Sequence, residues 1–235
     1  MSERRGRAGG GSDRKAAGEP RRASAYAESW DGLARGDALD AICAGADPES
    51  FEASGREHAG QIRRVLEPGS SVLDFGCGIG RIAKYLAPHC RELHAVDVSA
   101  EMLARARKRL AGLDNVRLHQ VDGPALPMLA DGSVDFAYAM LVLHHLAKQD
   151  AFLVLREFGR VLRPGGRFFA NFPNLLSARY TAVFEEYASR RERAAHRVRP
   201  WSPDEVRWLL GRLRAEPLHF AAGDEIEVLG RFGSS

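Results

Sequence analysis

Apolar residues recur along this chain in two rhythms, and their succession predicts its elements. Short apolar or alternating stretches at 71–75, 92–97 and 115–121 have the length of strands. After the first come apolar positions three or four apart (Ile82, Tyr85, Leu86), a helix that Pro88 stops. After the second come Met102, Leu103, Ala106 and Leu110, with Ser99 placed to cap their helix. Beyond Pro124 and Pro127, the turn Asp131-Gly132-Ser133 leads into a fourth strand at 134–140 that runs on through 141–146. Ala151, Leu155, Phe158 and Leu162 predict a helix over 151–162, Pro164-Gly165-Gly166 its stop, and 167–172 a fifth strand.

The flanks are less regular. Residues 26–47 offer only Trp30, Leu33, Leu39 and Ile42 as anchors, followed by Phe51. A helix at 56–66 puts Ile62, Val65 and Leu66 on one face and ends at Pro68-Gly69. This leading segment is expected to pack on the fold and close over a ligand, with Trp30 either in the packing or in a substrate pocket. Residues 174–200 lengthen the next connection as a lid insertion, where Glu185, Glu186, Arg190, Arg191 and Glu192 are spaced for ion pairs along a helix. Ser202-Pro203-Asp204-Glu205 is a capping box with proline at the first helical position, opening a helix that carries Val206, Leu209, Leu210 and Leu213. Two short strands near 218–222 and 226–232 follow, and no internal repeat is present.

Composition narrows the class. A chain of 235 residues with 45% hydrophobic content can bury one substantial core. Its formal charge of +3 belongs to the tail: residues 1–22 hold seven basic and three acidic side chains, leaving the remainder at −1. That balance argues against nucleic acid as a partner. The tail itself has no periodic apolar positions and reads as disordered, either solvated or an arm for an anionic surface. Cys43, Cys77 and Cys90 are an odd number without metal-like spacing. With no signal peptide in front of them they are expected to be free thiols in a reducing, cytoplasmic setting. No apolar run approaches the roughly 18 residues that span a bilayer.

The chemistry concentrates at Val72-Leu73-Asp74-Phe75-Gly76-Cys77-Gly78-Ile79-Gly80-Arg81. A buried strand ends in an acid and enters a turn with glycine at alternate positions, then a helix opens. Such a turn lets backbone N–H groups approach a ligand closely. The spacing is G-x-G-x-G, unlike the G-x-G-x-x-G of dinucleotide sites. The second strand ends on Asp97, where a parallel sheet meets a ribose, and the third closes on Asp122. Three successive strands ending near Asp74, Asp97 and Asp122 exceed what helix capping accounts for.

This arrangement resembles the class I S-adenosylmethionine-dependent methyltransferases. The first motif is Asp74 with the glycine turn; the second is Ala95-Val96-Asp97-Val98-Ser99-Ala100-Glu101-Met102-Leu103. The third is Gln120-Val121-Asp122-Gly123, and Val161-Leu162-Arg163-Pro164-Gly165-Gly166-Arg167-Phe168 matches the family's structural signature before the fifth strand. The resemblance covers about residues 55–232. It implies an α/β fold, a Rossmann-like doubly wound, seven-stranded, mostly parallel sheet occupying 23–235, with S-adenosylmethionine over the C-terminal strand edge. In that reading Asp74, Gly76 and Gly78 hold the methionine part, and Asp97 takes both ribose hydroxyls beside Val98 and Met102. Asp122 accepts from the adenine amino group beside Gly123, and Met140 completes the site.

No Asn/Asp-Pro-Pro-aromatic run ends the fourth strand, no Pro-Cys nucleophile is present, and no acid cluster suits a metal. These absences disfavour planar nitrogen acceptors, cytosine chemistry and catechol-type enzymes, leaving a small-molecule acceptor such as a hydroxyl. His144 and His145, at the end of the fourth strand, either cap the turn or include a general base, with His144 favoured as that base. Arg190, Arg191, Arg193, Arg197 and Arg199 are either solvated surface or a site for an acidic substrate. The expected assembly is a monomer or homodimer. A cofactor-binding partner without transferase activity and a nicotinamide oxidoreductase are the competing classes.

Overall fold

The computed structural model describes residues 25–36, 38, 42, 45–190 and 196–233. The basic tail at 1–22, Leu39, Cys43, Arg191, Glu192 and Arg193 lie outside the described residues. Two helices lead, α1 (Ala25–Arg35) and α2 (Pro48–Val65). Then come β1 (Ser71–Phe75), the short α3 (Ala83–Leu86), β2 (Glu92–Asp97), α4 (Ala100–Arg109), β3 (Val116–Gln120) and β4 (Val134–Ala139). The second half holds α5 (Lys148–Val161), β5 (Leu162–Pro173), α6 (Ala178–Arg190), α7 (Pro203–Arg212), β6 (Ala215–Ala222) and β7 (Glu225–Phe232).

The seven strands form one sheet in the order β3-β2-β1-β4-β5-β7-β6. The first five are parallel to their neighbours, whereas β7 runs antiparallel to both β5 and β6. The order reverses between β1 and β4, so the crevice at their C-terminal ends is where such a sheet receives ligands. Alternation along each strand feeds two cores. Leu73, Ala137 and Ala139 pack with Phe158 of α5 and Leu209 of α7. Val72, Phe136 and Tyr138 pack with Ile62 of α2, Leu86 and Leu103 on the opposite face.

Several elements depart from the pattern-based expectation; β5 begins at Leu162, so that Pro164-Gly165-Gly166 lies inside the strand, and β6 begins at Ala215. Residues 25–35 are helical although 26–47 reads as irregular, because α1 buries only small side chains, Ala27 and Ala34, that carry little periodic signal. It is fastened through Asp31, whose Oδ1 accepts from Ser99 Oγ at 2.5 Å and from Glu101 N at 3.2 Å, at the positive end of α4. Helix α2 begins eight residues before position 56. Asp47 caps it by accepting from Glu49 N and Ser50 N, both at 2.9 Å, with Pro48 at the first position. The fourth strand ends at Ala139 rather than running on through 146, because Leu141 adopts φ 60° and turns the chain. Its N–H is held by Asn171 Oδ1 at 2.7 Å.

The capping box is formed as its spacing predicts, with Ser202 Oγ accepting from Glu205 N and Glu205 Oε2 accepting from Ser202 N. Within the 174–200 insertion, α6 carries an Arg190–Glu186 pair at 2.9 Å. No helix among the described residues is long and apolar enough to cross a membrane.

Candidate active site

Where β1, β2 and β4 end, the chain encloses a cavity of about 280 Å³. Its floor is the glycine turn. Gly76 has φ 77° and Gly78 φ 54°, a region that side chains with a Cβ rarely adopt. The backbone N–H groups of Gly76 and Cys77 donate to Val96 O at 2.8 and 3.0 Å, folding the turn back against β2. A Cβ on Gly76 would lie 2.5 Å from Val142 Cγ2, and one on Gly78 would lie 3.2 Å from Ile42 Cδ1. The two glycines therefore keep open a cradle that larger residues would fill.

Asp97 ties this floor together. Its Oδ2 accepts from Gly78 N at 2.8 Å and its Oδ1 from Ser99 N at 2.9 Å, linking the turn to the start of α4. Each oxygen keeps acceptor capacity for a further donor. Burial raises its pKa against the pull of these backbone bonds. Asp74 is buried more completely in chemical terms. Its Oδ2 is fully buried together with the neighbouring Tyr138 hydroxyl, whose hydrogen-bonding pull it feels. Desolvation pushes Asp74 up to about 7, with Asp97 adding to the rise and Tyr138 and Arg81 opposing it. Asp74 lines the cavity, and a carboxylate there can accept from a ligand that brings a donor, such as an amino group.

Val98, Met102, Gly123 and Met140 also line the cavity. Asp122 does not: it is exposed at the rim after β3, so contact with an adenine amino group requires its side chain to turn inward. Burial holds the Cys77 thiol well above its ordinary range, so this cavity-lining cysteine stays protonated. Cys77 and Cys90 are both free. No group of three or more His, Cys, Asp or Glu among the described residues is placed to hold a metal.

The two histidines separate. His145 lines the cavity, whereas His144 is buried behind it. His145 Nδ1 faces the carbonyl of His196 at 2.5 Å, and a carbonyl only accepts, so Nδ1 carries the proton. The rings meet through their Nε2 atoms at 2.9 Å, which makes His144 the donor and His145 the acceptor. His144 Nδ1 is then a buried nitrogen without a partner among the described residues. Burial lowers both, His145 to about 4 and His144 well below its ordinary range, so the neutral forms prevail near pH 7.

A roof covers this wall. Trp30 of α1 stands edge-on to His145, with ring centroids 4.9 Å apart at 79°. Ser29 Oγ lies 2.9 Å from His196 Nδ1, and Arg199 N donates to His144 O at 2.8 Å. Tyr26 donates to Asp150 Oδ2 at 2.8 Å and accepts from Ala147 N at 2.9 Å, capping α5 from another helix. Tyr26, Asp150 and Arg81 all line the cavity. Sequence reasoning passed over them as site residues; only Arg81, adjoining the glycine turn, stood beside a recognised motif.

A family model described as a methyltransferase domain matches residues 72–166. The demethylmenaquinone methyltransferase of a Parafrankia strain is 31% identical over 184 residues, covering 71% of each chain. The methyltransferase GfsG of Streptomyces halstedii is 38% identical over 130 residues, 52% of this chain and 46% of that one. The YcgJ protein of Bacillus subtilis superposes with a TM-score of 0.62 at 20% identity, over 76% of this chain and all of that one, a likeness of fold. The chain spans less than half the length of several curated relatives that it matches. Relatives are named as O-, N- and S-methyltransferases alike. With the glycine cradle, the acid beside it and a relative matched along most of both chains, this protein belongs to the class I methyltransferases, whose cofactor is S-adenosylmethionine.

Proposed function

We propose that the protein transfers a methyl group to a hydroxyl of a small molecule. The observation that carries this reading is the roofed cavity, about 280 Å³ and closed by α1, Trp30 and His145 over the cofactor floor. A mostly apolar wall closed over that floor leaves room beyond the cofactor only for a compact acceptor. S-adenosylmethionine, when bound, supplies an electrophilic methyl group on a positively charged sulfur.

The chain's own residues supply binding, alignment and a dry wall. Asp97 accepts from ribose hydroxyls while its backbone bonds keep the carboxylate in place. Asp74, which lines the cavity, takes the amino group. Trp30, Leu146 and Val142 exclude water from the acceptor end, and orientation there accounts for most of the rate.

His145, not His144, meets the acceptor, since it alone of the two lines the cavity. The acceptor hydroxyl replaces the His144 N–H at His145 Nε2 and gives its proton there. A base lowered to about 4 is adequate for this, because a hydroxyl oxygen that is gaining a methyl group becomes strongly acidic. The lid segment contributes Arg199, whose backbone N–H fixes His144.

The test is a screen of hydroxylated small molecules for release of S-adenosylhomocysteine, with mass detection of each product. Methylation confined to amines or thiols would reject the hydroxyl assignment. Cofactor binding without product from any acceptor would favour a binding protein over a transferase.

A further inference from the structure

The cavity that Trp30 and His145 line is also lined by Tyr26, Leu146, Asp150 and Val154. We propose that Asp150 receives a second hydroxyl of the acceptor, which makes the substrate class a small diol or polyol rather than a lone alcohol. The inference rests on the hydroxyl reading above, with His145 taking the proton of the hydroxyl that is methylated.

An acid in the first turn of a helix ordinarily serves that helix. In a capping box the third helical residue accepts directly from the N–H of the capping residue. In α5 those two positions are Asp150 and Ala147, and Ala147 makes no side-chain cap in return. The Tyr26 hydroxyl stands between them instead, accepting from Ala147 N at 2.9 Å and donating to Asp150 Oδ2 at 2.8 Å. The carboxylate is thereby set one hydroxyl away from its own helix and held by α1, the element that roofs the cavity. Its Oδ1 accepts from no group among the described residues, and a carboxylate has room for several donors.

Base and acid belong to one wall. Asp150 follows His145 by five residues, and the amide that Tyr26 holds lies between them. Arg199 acts on the same place. Its Nη1 donates to His145 O at 2.5 Å and to Arg197 O at 3.1 Å, and its charge bears on both Tyr26 and Asp150. A cation beside the acid offsets its pull on an ammonium, so the donor that this wall selects is a neutral one, a hydroxyl. A second hydroxyl buried against Leu146 and Val154 without an acceptor would be costly, whereas at Asp150 it gains a charge-assisted bond. An acceptor held at two points also presents its reacting oxygen in one orientation, which is the main source of rate in such a transfer.

Two pairs of phenols matched in size separate the outcomes: resorcinol against meta-cresol, and hydroquinone against para-cresol. Within each pair a methyl group replaces the second hydroxyl. The readout is kcat/KM at saturating S-adenosylmethionine, with each diol's value halved for its two equivalent hydroxyls. In at least one pair wild type should favour the diol about tenfold or more, the lower end for a hydrogen bond to a charged group. Asp150→Asn should cut that ratio severalfold, and Asp150→Leu should bring it to one or below. Tyr26→Phe should lower it too, because Asp150 is then free to close on the Ala147 N–H. Wild-type ratios near one in both pairs, with methylation observed, would overturn the proposal and leave the hydroxyl reading standing. So would a ratio that Asp150→Asn leaves intact while both members of a pair slow together, the mark of a structural role alone. If the Asp150 variants do not fold, the ratio in Tyr26→Phe decides, and a value equal to wild type overturns the assignment. Methylation of none of the four phenols, by protein that binds S-adenosylhomocysteine, would reject the compact-hydroxyl reading and the Asp150 assignment with it.

Discussion

His144 donates to His145 through facing Nε2 atoms 2.9 Å apart, so the ring that reaches the cavity is held by a neighbour that does not. This order of donor and acceptor exists only while both rings are neutral. Their depressed pKa values therefore have a consequence for stability.

An unfolded histidine takes up a proton near pH 6.5, whereas folded His145 resists until about 4. The folded state is thus favoured above about 6.5 and loses that advantage as pH falls between the two values. The expected loss is about 1.4 kcal/mol per pH unit in that window. Asp74, raised to about 7, acts in the opposite sense, because its advantage is present at low pH and lost as pH rises through 7. The comparison is therefore between proteins: urea midpoints of wild type should fall more steeply from pH 6.5 to 4.5 than those of His145→Gln. Parallel curves would refute the assignment.

Cofactor affinity should titrate with Asp74. The amino group of the ligand favours the ionised carboxylate, and below about 7 the folded protein holds a proton there that must first leave. Affinity for S-adenosylhomocysteine should fall by up to about tenfold per pH unit below 7, with proton release seen as a buffer-dependent heat. Asp74→Asn should bind more weakly at pH 7.5 and show a flatter profile.

Gly76→Ala should damage fold and site together. A non-glycine residue at φ 77° costs roughly 1–2 kcal/mol, and its Cβ would lie 2.5 Å from Val142 Cγ2. Melting temperature and cofactor affinity should both drop. Adding Val142→Ala should recover part of the stability by removing the contact, while the backbone strain remains.

Tyr26→Phe removes the hydroxyl that joins α1 to Asp150 and to the amide of Ala147. Two hydrogen bonds of ordinary strength amount to about 1–2 kcal/mol. The amides of α1 and the first turn of α5 should exchange faster with deuterium, while those of β1 and β2 keep their protection. Unchanged exchange in α1 would show that Asp31 and Trp30 hold the roof without it.

The strands at 71–75 and 92–97 were legible to the residue because each holds a short, largely buried apolar stretch with clear stops on either side. The capping box at Ser202 and the cap at Ser99 were legible because those bonds are local. Helix α1 was not, since its buried face is alanine and its anchors, Asp31 and Tyr26, act through partners 68 and 124 residues away. The contacts of Arg81 with Ser54 and His58 were hidden for the same reason, since these residues form no recognisable motif until α2 lies against the turn. The choice between His144 and His145 depended on Leu141, whose φ of 60° ends the strand and resets which side chain faces inward.

That leucine has a reach beyond the cavity. Asn171 on β5 holds its N–H, and the same side chain donates to Glu225 on β7 at 3.3 Å, which in turn accepts from Tyr180 of α6. In a saturation mutagenesis scan scored by activity, this line should stand out as a trail of sensitive positions leading away from the cavity wall. Glu225 and Tyr180 would then score like ligand contacts without touching a ligand, and their signature would be lost turnover that cannot be restored by raising the cofactor concentration.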